Sequence, residues 1–221
     1  MKKTILLFAT ITLIVGNSFA QNSKKSYLSA DRDSAKQKDE IKTIFGNKKI
    51  SNGGYGAFTI GYSLIDEKDA FITGGRGAWI IGHSFAIGLG GYGFGNDLYL
   101  DNVTSSLEYS INGGYGGLIL EPIVLPKFPF HLSFPILLGA GGAEYIKSTY
   151  RDEFDPDVNV EDSDAFLVAE PGVELEMNLI KWIRLSVGAS YRFTSDIHLA
   201  EKKHDVLNGY NLGVTLKFGK F

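Results

Sequence analysis

The stretch from Tyr210 to Phe218 alternates without an error: Tyr210, Leu212, Val214, Leu216 and Phe218 share one face, and Asn211, Gly213, Thr215 and Lys217 share the other. A helix repeats its faces about every 3.6 residues, so a period of two excludes it and describes a β-strand with two chemically different sides. Further strand-like segments lie at 53–64, 70–81, 85–94, 107–120, 130–146, 165–178 and 182–193, with the last at 209–218. Eight strands with no helix between them predict an all-β fold, an eight-stranded antiparallel up-and-down barrel. The connections support this by alternating in length. Those at 66–69, 82–84 and 179–181 are tight and 121–129 is intermediate, whereas 95–106, 147–164 and 194–208 are long and polar.

The start of the chain reads as an export signal. Lys2 and Lys3 precede an apolar run from Ile5 to Val15, and Ser18 and Ala20 form a small-residue cleavage site, so residues 1–20 are expected to be removed. The run is too short for a membrane helix, which needs about 20 apolar residues, and no later stretch reaches that length. Residues 21–52 form a polar periplasmic leader, either flexible or carrying a short amphipathic helix over 35–45, and residues 53–221 form the barrel domain. Loss of Lys2 and Lys3 takes the formal charge from -3 to -5, which gives no general attraction to nucleic acid. With no cysteine there is no disulfide framework, thiolate metal site or cysteine nucleophile. The 27 glycines and 13% aromatics fit short strands closing on a narrow interior.

Alternation alone does not say which face is inside, because a soluble ligand-binding barrel satisfies the same pattern. The composition of the polar face favours the inverted arrangement. In 182–193 it carries Arg184, Ser186, Gly188, Ser190 and Arg192, which are small residues and isolated charges suited to a narrow lumen. In 166–178 the same face carries Glu170, Glu174 and Glu176. Buried charge needs a partner, so a structural ion-pair network is expected among Glu170, Glu174, Glu176, Arg184 and Arg192, joined by Arg76 and Lys217. Threaded up and down, Tyr62, Phe71, Tyr109, Tyr191, Phe193 and Tyr210 gather near one rim, and Trp79, Phe85, Phe130, Trp182 and Phe218 near the other. Paired aromatic girdles of this kind mark the two interfaces of a membrane barrel, which makes the predicted barrel a transmembrane one.

Candidate chemistry is sparse. Asp155, Asp157, Asn159 and Glu161 provide oxygen ligands at every second position, as at the start of a calcium loop, but Val160 and Phe166 stand where that motif needs Gly and Glu. No metal and no cofactor is expected, and this acidic loop is the weak calcium candidate. Ser195, Asp196 and His198 have the residue types of a hydrolase triad, crowded into one connection without a rigid scaffold. No zinc-protease, P-loop, dinucleotide or nucleophile-elbow motif is present. No catalytic residue is assigned.

The glycine-rich strands at 74–81 and 88–94, the hairpin from Glu174 to Tyr191 and the final strand ending at Phe221 resemble the small outer-membrane β-barrel proteins of Gram-negative bacteria, the group of the OmpA transmembrane domain and the OmpX and Ail type adhesins. The resemblance implies an integral, monomeric barrel without catalytic activity, in the outer membrane after Sec-type export. It also implies contact with outer-membrane lipid and lipopolysaccharide, recognition by the barrel-assembly machinery, and a structural or surface-interaction role through long outer loops. The alternatives are a lipid-modifying barrel enzyme and the soluble periplasmic barrel. The assembly signal is an aromatic residue in phase with the outer face; Phe221 is out of phase with Phe218, Leu216 and Val214, so Phe218 and Phe221 are both candidates.

Overall fold

A computed structural model describes residues 51–96, 108–150, 156–199 and 202–221; the export signal, the leader up to residue 50 and Asp155 lie outside them. Nine strands form one antiparallel sheet: β1 (Asn52–Ile65), β2 (Lys68–Ile81), β3 (Phe85–Gly95), β4 (Glu108–Val124), β5 (Phe130–Ser133), β6 (Ile136–Tyr150), β7 (Pro156–Ile180), β8 (Ile183–Thr194) and β9 (Gly209–Lys220). Strands adjacent in sequence pair, except that β5 and β6 each pair with β4 and β7, and β9 pairs with β1, so the sheet closes on itself. Closure pairs the staves on both sides around the ring; the first part of β7, before Val168, pairs with β6 alone.

The ring has eight staves because β5 and β6 are two halves of one. Ile123↔Ser133 and Leu120↔Ile136 keep the same register on β4, and Ser133↔Glu174 and Ile136↔Pro171 keep it on β7. The segment expected at 130–146 is therefore interrupted at Phe134 and Pro135, since proline has no N–H to give the ladder. Backbone bonds bridge the gap: Phe134 N donates to Pro122 O at 2.9 Å, and Gly172 N donates to Pro135 O at 2.8 Å.

A larger difference concerns the connection expected at 147–164. β6 runs to Tyr150 and β7 starts at Pro156, so a long hairpin replaces most of that loop. Pairing with β6 overrides the poor strand propensity of its acidic residues. β4 likewise continues past Leu120 through Glu121 to Val124. The first hairpin closes more tightly than expected, on Asp66 and Glu67 alone, both in the left-handed region at φ 56° and 61°. This is the backbone of a two-residue hairpin turn, here without glycine.

The two faces are chemically inverted relative to a water-soluble barrel. Outward lie Phe58, Ile60, Leu64, Leu89, Leu138, Leu167, Val187, Leu212 and Val214, all exposed. Tyr62, Phe71, Phe193 and Tyr210 are exposed near the rim of the long connections, and Trp79, Phe85, Phe130, Trp182 and Phe218 near the opposite rim. Tyr191 joins the first group through ring contacts at 4.5 Å to Phe193 and 4.8 Å to Tyr210; the side chain of Tyr109 lies outside the described ones. Phe71 and Trp79 are eight positions apart, ~26 Å along a strand. At a tilt of about 40° that is roughly 20 Å of depth, close to the ~25 Å apolar band of a membrane barrel.

Inside, two apolar clusters flank the polar residues. Toward the long-connection rim, Ile65, Phe94, Ile111 and Tyr145 pack with Ile197, Leu199 and Leu207 from the β8–β9 connection. Toward the other rim, Tyr55, Ile80, Ala86 and Ile123 pack together, with Phe221 against them. The β8–β9 connection is held in the mouth by polar contacts as well. Lys202 Nζ pairs with Asp66 at 2.6 Å, and Arg192 Nε donates to Leu207 O at 2.7 Å.

Candidate functional site

The most concentrated chemistry is a buried group of charges between those apolar clusters. Period-two alternation sends Arg76 of β2, Glu121 of β4, His131 of β5, Glu174 and Glu176 of β7, Arg184 of β8 and Lys217 of β9 to the interior, where all seven are buried. Lys217 Nζ is the centre: it lies 2.6 Å from Glu121, 3.0 Å from Glu174 and 2.5 Å from Glu176. Three carboxylates converging in this way resemble a metal-ligand set, but the lysine ammonium stands among them and supplies the positive charge.

The surrounding contacts complete the cluster. Arg76 Nη2 donates to both carboxylate oxygens of Glu174 at 2.7 Å and lies 3.9 Å from Glu121. Arg184 Nη1 donates to Glu176 at 3.3 Å, and His131 Nε2 is 2.9 Å from the same oxygen. Ser186 donates to Glu174 at 3.1 Å, and the Tyr55 hydroxyl donates to Glu121. Glu121, Glu174 and Glu176 thus face Arg76, Arg184 and Lys217, three acids against three obligate cations. Buried charges persist only where pairing and hydrogen bonding offset their desolvation, and this set provides both.

Glu170 and Arg192 occupy a separate layer nearer the long-connection rim. Glu170 accepts hydrogen bonds from Tyr115 at 2.5 Å, Ser190 at 2.5 Å and Asn211 at 2.8 Å. Arg192 is fully buried, its guanidinium carbon 5.1 Å from the Phe94 ring centre and 5.6 Å from that of Tyr115. Its terminal nitrogens meet no protein acceptor among the described residues, and the neighbouring aromatic faces offer them a cation–π contact. A cavity of about 80 Å³, lined in part by Thr59, Arg76, Tyr115, Glu170 and Asn211, separates the two layers. It has room for a few water molecules.

Glu121, His131 and Tyr55 were not among the expected cluster members. Glu121 shares the interior phase of Tyr115 and Ile119, and extending that alternation by one step would have found it. The oxygen series of the acidic segment falls differently. Asp157 and Asn159 are strand residues paired with Thr149 and Lys147, and Glu161 is the extra residue where the register shifts between Tyr145 and Ile146. Along a strand these positions follow a straight ladder instead of curling round a centre as the turns of a calcium loop do, and Asp155 lies outside the described residues. Ser195 Oγ accepts the Leu167 N–H at 3.0 Å, while His198 turns toward Asp164 with Nδ1 at 3.6 Å. The carboxylate beside the His198 ring is thus Asp164 and not the Asp196 of the triad-type cluster.

Fold and site together define a class: a closed antiparallel up-and-down barrel of eight staves, apolar on its outer surface and charged within. No protein-family model and no curated protein matches the chain. Among solved structures it is similar to the N-terminal β-barrel domain of Pseudomonas aeruginosa OprF, at 9% identity and TM-score 0.45, covering 77% of this chain and 99% of that one. It is similar to Neisserial surface protein A at 11% identity and TM-score 0.45, over 79% of this chain and 100% of that one. A third is Ail of Yersinia pestis, crystallised with the heparin analogue sucrose octasulfate, at 11% identity and TM-score 0.46, over 76% and 97% of the two chains. The architecture assigned above rests on this chain's own hydrogen-bonded ring.

Proposed function

We propose that this chain is an integral outer-membrane β-barrel with a side-chain-filled lumen, acting as a structural or surface-interaction protein through its long outer connections. The observation that carries the reading is the polarity inversion. A wall bearing Phe58 at 53%, Trp79 at 55% and Leu167 at 67% exposure, around an interior holding Glu176 and Arg192 at 0%, is unfavourable in water and suited to lipid. The two aromatic rims support the same placement. The short-turn rim, where β1 begins and β9 ends, faces the periplasm in this reading, and the long connections face outward.

Outer-membrane lipid and lipopolysaccharide are the partners of the apolar wall. The barrel-assembly machinery is a partner during biogenesis, with Phe218 and Phe221 as the candidate assembly signal. The protein works as a monomer, has no catalytic residue, and meets an unidentified surface partner through its loops. Apolar clusters at both ends of the charge cluster support a closed lumen. The test combines extraction and mobility. The protein should resist release by carbonate without detergent, and unboiled and boiled samples should migrate differently on a gel. Release by carbonate, or identical migration, would overturn the reading. In planar bilayers the expected conductance is negligible, and a stable ohmic current would refute the filled lumen.

A further inference from the structure

The β8–β9 connection carries a pair of histidines with no part in the barrel wall. His198 and His204 stand with ring centres 4.8 Å apart at 66°. Both limbs of the connection are anchored beneath them: Ile197 and Leu207 are fully buried, and Ile197 N donates to His204 O at 3.0 Å. The rings are thus presented from a fixed base, with the His198 side chain 74% exposed.

Each ring has an oxygen facing Nδ1. His204 Nδ1 lies 3.2 Å from Ile197 O, and His198 Nδ1 lies 3.6 Å from Asp164 Oδ2. Asp164 is itself fixed, accepting the His198 N–H at 2.7 Å and the Ala165 N–H at 2.8 Å. In the tautomer that places the proton on Nδ1, toward these oxygens, a neutral imidazole leaves Nε2 as a bare acceptor. Metal-binding histidines are oriented in the same way, by an oxygen on the far nitrogen. The spacing also fits. A metal–nitrogen bond of about 2.1 Å places the ion about 3.2 Å from a ring centre, so two imidazoles at roughly 100° around one ion have centres about 4.9 Å apart.

From this geometry we infer that His198 and His204 form an outer-rim site for one imidazole-preferring divalent ion such as Zn²⁺, Cu²⁺ or Ni²⁺, with Asp164 as the residue that orients His198. Water completes the coordination. Two imidazole donors select these ions over Ca²⁺ and Mg²⁺, which need a shell of oxygens. A bound ion ties residue 198 to residue 204 across the connection that closes the barrel mouth. The site is independent of which compartment the rim faces.

The test uses the untagged, signal-cleaved full chain folded in detergent micelles, titrated calorimetrically with Zn²⁺ and, separately, Ca²⁺. The expected result is one Zn²⁺ site, lost in His198→Ala and in His204→Ala and weakened roughly tenfold in Asp164→Asn, with Ca²⁺ giving no binding at this site. Gel mobility confirms that each variant is folded. Cu²⁺ added to the ¹⁵N-labelled native chain gives a readout that needs no variant. It should broaden the amide signals of residues near 198 and 204 and spare those around His83. Absence of Zn²⁺ binding, Zn²⁺ binding unchanged in both alanine variants, or Cu²⁺ broadening centred elsewhere would overturn the proposal.

Discussion

Replacing Lys217 by Met tests whether the lumen is held by its charges. Methionine matches the lysine stem in length, so packing is largely kept while the ammonium is removed. Lys217 Nζ contacts Glu121, Glu174 and Glu176 within 3.0 Å, but these contacts are not equivalent. Glu174 retains the two bonds from Arg76, and Glu176 retains Arg184 and His131. Glu121 keeps only a 3.9 Å approach from Arg76 and the Tyr55 hydroxyl. The variant therefore leaves about one uncompensated buried carboxylate, which costs about 3 to 5 kcal/mol. With a urea dependence of about 2 kcal/mol per molar, the unfolding midpoint should fall by about 2 M. The assay is the folded fraction read by gel mobility across a urea series in micelles. Pairing Lys217→Met with Glu121→Gln restores the balance of charges, and the double variant should be more stable than the single one by about 1.5 kcal/mol or more. An unchanged midpoint for Lys217→Met, or strictly additive losses in the double variant, would refute the reasoning.

Three further outcomes follow from local geometry. Glu67→Gly should raise stability by about 1 kcal/mol in the same urea series, because glycine relieves the left-handed φ of 61° while Asp66 keeps its bond to Lys202. Gly88→Ala should lower stability by about 1 to 3 kcal/mol, since a Cβ there would lie 2.0 Å from Gly77 O, whereas Gly91→Ala, with 3.8 Å to Tyr115 O, should stay within about 0.5 kcal/mol. Burial disfavours the Lys202 charge, but the Asp66 carboxylate outweighs it and holds Lys202 above the ordinary lysine value. A raised folded value means the contact contributes fully below the unfolded pKa of about 10.4 and is lost as pH rises through the folded value. A nitroxide on Asp205→Cys, unique in a chain without cysteine, should become more mobile across that window, and Lys202→Met should remove the pH-dependent step.

What was legible in the sequence follows from what alternation encodes. A period of two fixes the face of each residue, so Arg76, Glu174, Arg184 and Lys217 could be assigned to one side before any strand was placed. It also gives local pairs. Folding the β7–β8 hairpin about Ile180 brings Glu176 to Arg184, and they are in contact at 3.3 Å. Alternation does not encode which strands face each other across the ring. Arg76 of β2 reaches Glu174 of β7, and Lys217 of β9 reaches Glu121 of β4; these partners depend on stave order and stagger, which are set by all the registers together. The acidic hairpin was hidden for the opposite reason. Its residues have little strand propensity of their own and gain the conformation from β6, a tertiary effect that a local reading cannot contain.

The phase of Phe221 joins the wall to the lumen. β9 pairs with β1 without a break from Ser63↔Asn211 to Gly54↔Lys220, so no bulge shifts the alternation and Phe221 keeps the interior phase of Thr215 and Lys217. Its ring stacks on Tyr55 at 6.2 Å, and the Arg184 guanidinium lies 3.9 Å above it. Tyr55 in turn donates to Glu121, so the aromatic pair covers the charge cluster and satisfies one of its carboxylates. Phe218, three positions earlier, points outward with Trp79 and Trp182. Gly219 between them sits where a Cβ would lie 2.1 Å from Gly54 O, so the strands approach too closely there for any side chain. A shift of one residue would exchange the two faces, turning Phe221 toward the outer surface and exposing the charges it covers. The odd spacing between Phe218 and Phe221 is thus what allows two nearby aromatics to serve opposite sides of one wall.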